Sequence, residues 1–294
     1  MCSHLAVVAM SRWFTANRGR ALSVAGLGFS VGEAFMPIIF VFFMSIFAWQ
    51  NLWLIAASLS LMAVPALWRL LREERTPQAM IKEGTSLGMR GKHWTRIEAL
   101  KHPLFWFIFP ALLGQSAFNT AFFFHQVHFA QTKGWDHFLL VSFFPVYTGI
   151  SVLMMILSGW ALDRVGTARI IPFFQVPMVV AFLCFSIGDN IFMFVTGLVF
   201  LSITSGANAT LPNAFWAEFY GTGNLGSIKA FAAAVIVLGS AIGPGITGFL
   251  IDGGVELEMQ YLWIAGFFVT CVVALYIGVQ RSKSQLVFTP GQGS

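Results

Sequence analysis

Apolar runs recur along this chain at close to the length, about 20 residues, that a helix needs to cross a bilayer. Reading them against Gly, Pro and charged breakers gives eight spans: 21 to 47, 51 to 69, 104 to 130, 139 to 162, 170 to 188, 191 to 214, 229 to 251 and 260 to 280. Composition agrees, because only 10% of the 294 residues are charged and 57% are hydrophobic, against about 25% charged in an ordinary soluble domain. Each run is continuous rather than alternating, so it must satisfy its backbone hydrogen bonds within itself, as a helix does and a barrel strand does not. The expected fold is an all-α polytopic membrane protein.

The charges sort by loop. Every Lys and Arg among the 17 except Lys133 falls on one set of alternate connections. Asp136, Asp189, Asp252, Glu256 and Glu258 accompany Lys133 on the other set. By the positive-inside rule the basic set, including the 70 to 103 connector and the C-terminal end, is cytoplasmic. The excess of positive charge is thereby accounted for without a nucleic-acid partner. Cys2, Cys184 and Cys271 stand far apart with no CxxC pair or His cluster, which points to packing residues rather than a disulfide framework or a metal site.

The only long polar stretch between spans is the 70 to 103 connector, read as a linker between two bundles. Its "WTRIEALKHP" segment is expected to form a short amphipathic helix on the membrane surface, with Trp94 as interfacial anchor. Residues 3 to 11 are apolar but too short to span, and resemble the tail of a longer helix. The 281 to 294 tail offers little to bury and is expected to be disordered.

One compact charged turn stands out. "GWALDRVGTAR" places Gly159, Asp163, Arg164, Gly166 and Arg169 between the fourth and fifth spans. This pattern resembles the cytoplasmic loop signature of the major facilitator superfamily, found there between helices 2 and 3 and between helices 8 and 9. "RWFTANRGRALSVAGLGFSVGEAFMP" and "LPNAFWAEFYGTGNLGSIKAFAAAVIVLGSAIGPGITGFLID" are similar to that family's passages from helix 4 to 5 and from helix 10 to 11. The second is similar in particular to monocarboxylate-porter-like members. The resemblance implies a division into 1 to 69 (the tail of helix 4 with helices 5 and 6), a 70 to 103 central loop, a complete six-helix bundle at 104 to 280 and a 281 to 294 tail. Helices 1 to 3 and most of helix 4 of the family pattern have no counterpart, as in a truncated transporter. The charged turn would act as a conformational latch; read from its charges alone, it is equally a topology anchor.

Several residues are candidates for solute contact or ion coupling. Glu33 is the sole carboxylate well inside a span, 13 residues beyond Arg20, or about 20 Å along a helix. Ionisable groups at such depth are candidate functional sites, the other reading being a protonated carboxyl that fixes packing. Gln115, Asn119, Phe122 and Gln126 recur at offsets of 0, 4, 7 and 11, one face of a continuous helix. That face either contacts solute or bonds neighbouring helices. His125 and His128 are candidate protonatable gates, and Tyr147 and Asn208 further cavity candidates. Gly28 and Gly32, and Gly239 and Gly243, have the GxxxG spacing of close helix contacts, with Pro37 and Pro244 as bends.

No Lys or Arg lies deep in any span, so the residues do not themselves establish the monocarboxylate or other organic anion that the resemblance suggests. The expected function is secondary transport of a small organic solute by alternating access, ion or proton coupled, without cofactor or covalent chemistry, in the plasma (inner) membrane. A non-transporting membrane sensor or assembly partner, and an inactive transporter fragment, are the alternatives. Oligomeric state is not legible.

Overall fold

The computed structural model describes residues 18–71 and 87–286. Their helices, in chain order, are α1 (Arg18–Met44), α2 (Trp49–Leu71), α3 (Arg96–Lys101), α4 (Pro103–Phe124), α5 (Gln126–Lys133), α6 (His137–Val141), α7 (Phe144–Val165), α8 (Thr167–Ile170), α9 (Val176–Ile187), α10 (Ile191–Tyr220), α11 (Leu225–Asp252) and α12 (Leu257–Ser282). Six helical stretches among the described residues are long and apolar enough to cross a membrane, and they coincide with the six spans expected between 104 and 280. α1 and α2 coincide with the other two. The apolar 3 to 11 segment, most of the 70 to 86 stretch and the tail beyond 286 lie outside the described residues.

The chain divides into two compact units. One comprises α1, α2 and residues 138–148; the other comprises residues 87–137 and 149–286. In the first, α1 and α2 meet through Phe40 and Trp53, with ring centroids 5.7 Å apart. Glu33 lies midway along α1 with its side chain exposed, beside buried Ala34. A Cβ on Gly32 would meet nothing within 4 Å, so no close helix contact is seen there among the described residues. The surroundings of Gly28 are outside that set. Pro37 lies inside α1 without ending it.

In the second unit α4 is central, packed on one side by α11 and on another by α12; α12 also packs on α9, which packs on α10. The α4 and α11 crossing is the tightest. A Cβ on Gly239 would lie 2.6 Å from the Leu113 carbonyl oxygen, and one on Gly243 would overlap the Ala117 backbone. Hydrogen at these two positions lets the backbones touch, the arrangement expected from their spacing. The Ser116 hydroxyl donates to the Ile236 carbonyl at 2.6 Å across the same seam. Pro244 sits one residue on, inside α11. Cys184 and Cys271 are free and buried.

The connector departs from expectation. A helix does form at Arg96–Lys101, started by a capping box in which Thr95 and Glu98 satisfy each other's backbone N–H groups. Trp94, however, is 4% exposed and sits in the main core cluster with Met89, Ala99 and Tyr220. Its indole N–H donates to the Met89 carbonyl at 3.0 Å. The polar composition of the segment concealed an inward anchor, because Trp94 finds both an apolar box and a hydrogen-bond acceptor inside the bundle.

Replacing Gly243 by Val should therefore wedge α4 from α11 and destabilise the bundle by about 1–3 kcal/mol, the usual range for overpacking. Gly245→Ala, where a Cβ meets nothing within 4 Å, should leave stability unchanged. Thermal unfolding in detergent distinguishes the two.

Candidate functional site

The amide face of α4 is where the polar candidates converge. Gln115 is buried and its Oε1 accepts a hydrogen bond from Asn208 Nδ2 on α10 at 3.1 Å. One turn along, Asn119 is half-buried. The Oδ1 atoms of both Asn119 and Asn208 are enclosed with no hydrogen-bond partner among the described residues. Close by along α4, Gln175 donates through Nε2 to the Ala111 carbonyl at 3.2 Å, and its Oε1 is likewise unpartnered. Ala111, Gln115 and Asn119 follow at four-residue intervals, so these amides mark one stripe along α4. Buried amide oxygens without partners are rare, and each calls for an explanation such as an ordered water or ion.

The other members of the expected stripe part from it. Phe122 is buried in an aromatic cluster, stacked on Phe185 with centroids 4.4 Å apart and flanked by Phe194 and Tyr261. Its ring is a packing element of the α4, α9, α10 and α12 core. The offset of 11 to Gln126 required one continuous helix, but α4 ends at Phe124 and α5 begins at Gln126, with His125 at φ −94° and ψ 13° between them. The break interrupts the single continuous helix that this spacing assumed.

His125 takes a different role. Its Nε2 donates to the Pro244 carbonyl on α11 at 3.0 Å, and its ring lies 3.5 Å from where a Cβ on Gly248 would be. An open groove of about 680 Å³ runs beside it, lined by Thr120, Phe124, Pro244, Gly248, Phe249 and Asp252 among others. Gln115, Asn119 and Asn208 do not line this groove. His128 is exposed on α5, where its carbonyl accepts from the Thr132 hydroxyl at 3.0 Å. Tyr147 is buried and belongs to the unit that contains α1 and α2.

The charged turn is tighter than a loop. α7 continues to Val165 and α8 starts at Thr167, leaving Gly166 alone between them. Its φ of 86° and ψ of 149° suit glycine and strain any residue with a Cβ. Arg164 therefore sits on the last turn of α7, its guanidinium 4.0 Å above the Trp160 ring, a cation–π contact. Arg169 is exposed on α8, and neither arginine makes an ion pair among the described residues. The Asp163 side chain lies outside them. Gly159 faces Thr210 of α10, at 3.9 Å from a built Cβ.

One cluster went unread in the sequence. Lys133, at the end of α5, has a side chain only 8% exposed, with Nζ 2.7 Å from Asp189 and 3.1 Å from Glu258. These carboxylates belong to the α9–α10 connection and to the first turn of α12. The single cation of its loop set thus ties three helix ends together at the end of the bundle opposite Gly166. Burial opposes the charge on Lys133, but the hydrogen bonds it donates to Asp189 and Glu258 outweigh it and raise its pKa. The lone Lys133 amid acidic loops was the available signal, but pairing across so many residues of sequence is set by how the helices pack.

With this geometry in view, comparison with known proteins is decisive for the family. The Major Facilitator Superfamily matches residues 1–187 and, in a second overlapping match, residues 146–288. This chain is a member of the major facilitator superfamily. It is also 28% identical over 251 residues to monocarboxylate transporter 13 of Rattus norvegicus, a match that covers 83% of this chain and 55% of that protein. The chain thus spans about half the length of the curated relative it matches. Membership makes it a multi-pass integral membrane protein of a transporter family, not an enzyme.

Lys133→Met should lower stability by about 1 kcal/mol, since exposed Asp189 discounts the pair. The stabilisation from the raised lysine pKa should persist below its unfolded value and fade as pH rises through the higher folded one. Thermal melts of Lys133→Met and the parent chain at neutral and strongly alkaline pH should converge at the alkaline end.

Proposed function

We propose that this chain is part of a secondary transporter that moves a small organic solute by alternating access, driven by a proton or another ion. Residues 104 to 280 would form its complete six-helix bundle, and residues 1 to 69 part of the other bundle, joined by the 70 to 103 connector. The end bearing Arg164 and Arg169 would face the cytoplasm, in the plasma (inner) membrane. The observation that carries the reading is the Gln115–Asn208 pair with Asn119 beside it, whose unpartnered amide oxygens sit in the interior of a family-matched bundle. Neutral amides orient a polar solute without fixing the sign of its charge.

The relative's name, monocarboxylate transporter 13, supports a monocarboxylate or other organic anion as the solute class. An anion entering this site needs a cation to offset its desolvation. Lys133 does not serve, since Asp189 and Glu258 already hold it. The anion reading thus requires a cation from outside the described bundle. Glu33, mid-helix on α1 with no ion-pair partner among the described residues, is the candidate coupling carboxylate. His125, bonded to Pro244 beside the groove, is the candidate gate. In this reading Asp163, Arg164 and Arg169 latch the cytoplasmic ends of the helices.

Reconstituted vesicles holding the whole transporter, given a pH gradient and a panel of organic acids and neutral polar solutes, test the proposal. At least one solute should accumulate. Gln115→Leu and Asn208→Leu should each reduce its uptake by about tenfold, the effect of losing one or two hydrogen bonds worth about 1.4 kcal/mol together. Accumulation of no solute, with a cytosolic protein bound through residues 70 to 103, would favour a sensor or assembly partner instead.

A further inference from the structure

The connector's second half is clasped to the end of the bundle by contacts that need neutral histidines. Residues 87–95 turn back on themselves through the Gly88 N–H to Lys92 carbonyl bond at 3.0 Å. Met89 is fully buried and Trp94 nearly so. The Trp94 backbone N–H donates to the Tyr220 carbonyl at 3.0 Å, satisfying a C-terminal carbonyl of α10 that the helix itself leaves free. Gly88 lies so close to the backbone of residues 219–221 that a Cβ would come within 2.6 Å of it. Arg90, at a positive φ of 59°, donates through Nε to Gln285 beyond α12 at 3.0 Å. A non-glycine residue in that conformation is held there by its surroundings.

Two imidazoles complete the clasp. His93 Nδ1 accepts a hydrogen bond from the Gly223 N–H at 3.2 Å, in the turn between α10 and α11. A ring nitrogen that accepts carries no proton, and protonation would set N–H against N–H. The His102 ring stands edge-on to Trp94 at 5.0 Å and to Tyr220 at 6.3 Å. Its Nδ1 is enclosed and has no hydrogen-bond partner among the described residues, so a proton there would find no acceptor. Trp94 already has Lys92 4.6 Å and Arg90 6.0 Å from its ring centroid.

We propose that this clasp is a pH switch: residues 87–95 stay docked while His93 and His102 are neutral, and release the ends of α10 and α12 when these histidines take up protons. The surrounding charges favour release. The connector contributes Arg90, Lys92, Arg96 and Lys101 against Glu98, which is paired with Lys92 at 2.8 Å. The elements packed there bring Tyr220 and Glu218 on α10, Lys229 on α11, and Arg281 and Lys283 at the end of α12. Cations predominate, so an added positive charge is repelled more than held. Burial first, and then the charge of Arg90, lower the His102 pKa. A lowered histidine pKa means that docking is fully stabilised above the undocked value and weakens as pH falls through the docked one. The switch stands apart from the transport reading, because it concerns docking of the connector and not solute movement.

The test uses the full chain in vesicles, with its native cysteines replaced by alanine and either Met89→Cys or the exposed reference Ser284→Cys introduced. The rate of maleimide labelling at position 89, divided by that at position 284, removes the common effect of pH on thiolate content. This ratio should rise about tenfold between about pH 8 and about pH 5.5, the range over which histidines titrate. His93→Asn keeps an acceptor without a titrating ring, and His102→Phe keeps the aromatic edge; together they should flatten the profile. A flat ratio with both histidines present, or an equal rise with both replaced, would overturn the proposal. Amide hydrogen exchange of residues 87–95 in the native sequence, corrected for intrinsic rates, gives a second readout without substitutions: protection should fall on acidification, and constant protection would count against the switch.

Discussion

Where α11 crosses α4 at Gly239 and Gly243, two backbones come into contact, and the rest of the larger unit is arranged around that seam. In a bilayer the hydrophobic effect does little to bring helices together, since lipid tails are as apolar as leucine. Close packing and short interhelical hydrogen bonds must do it. The Ser116 to Ile236 bond lies in the seam, and His125 bonds Pro244 just beyond it. With one flank of α4 committed to α11, its amide stripe is left to meet α10 and Gln175. Packing at the glycines thus decides where the polar residues point.

The two ends of the bundle are closed by different chemistry. At one, Lys133 gathers Asp189 and Glu258 and ties three helix ends with charge. At the other, Trp94, Met89 and Tyr220 form an aromatic and hydrogen-bonded plug, while Gly166 alone turns the chain from α7 to α8. The unpartnered Asn119 and Asn208 oxygens remain in the bundle's interior.

The spans were legible because the bilayer imposes a length and an apolar composition on each helix, whatever its neighbours. Family membership was legible for a related reason: the Gly159 to Arg169 spacing and the glycine pair reflect local backbone demands. What failed was inference that needed partners or a precise axis. The stripe from Gln115 to Gln126 assumed one continuous helix, and the helix is interrupted at His125. Trp94 looked like a surface anchor because its sequence neighbours are charged, yet its partners lie on α10 and on the Met89 carbonyl. Lys133 was noticed as an exception to the charge pattern, while its pairing with Asp189 and Glu258 arises only when the loops meet. Asn208 was a marginal candidate by sequence, and the structure brings it to Gln115.

The central claim is that the amide stripe of α4 belongs to an aqueous solute pathway and not to a sealed core. Cysteine reactivity at position 119 measures this most directly. With native cysteines removed, Asn119→Cys should react with a small water-borne methanethiosulfonate at a rate well above that of Leu153→Cys, an apolar position exposed on the helix surface. If position 119 is as inert as position 153, the stripe is interhelical packing and the transport site lies elsewhere.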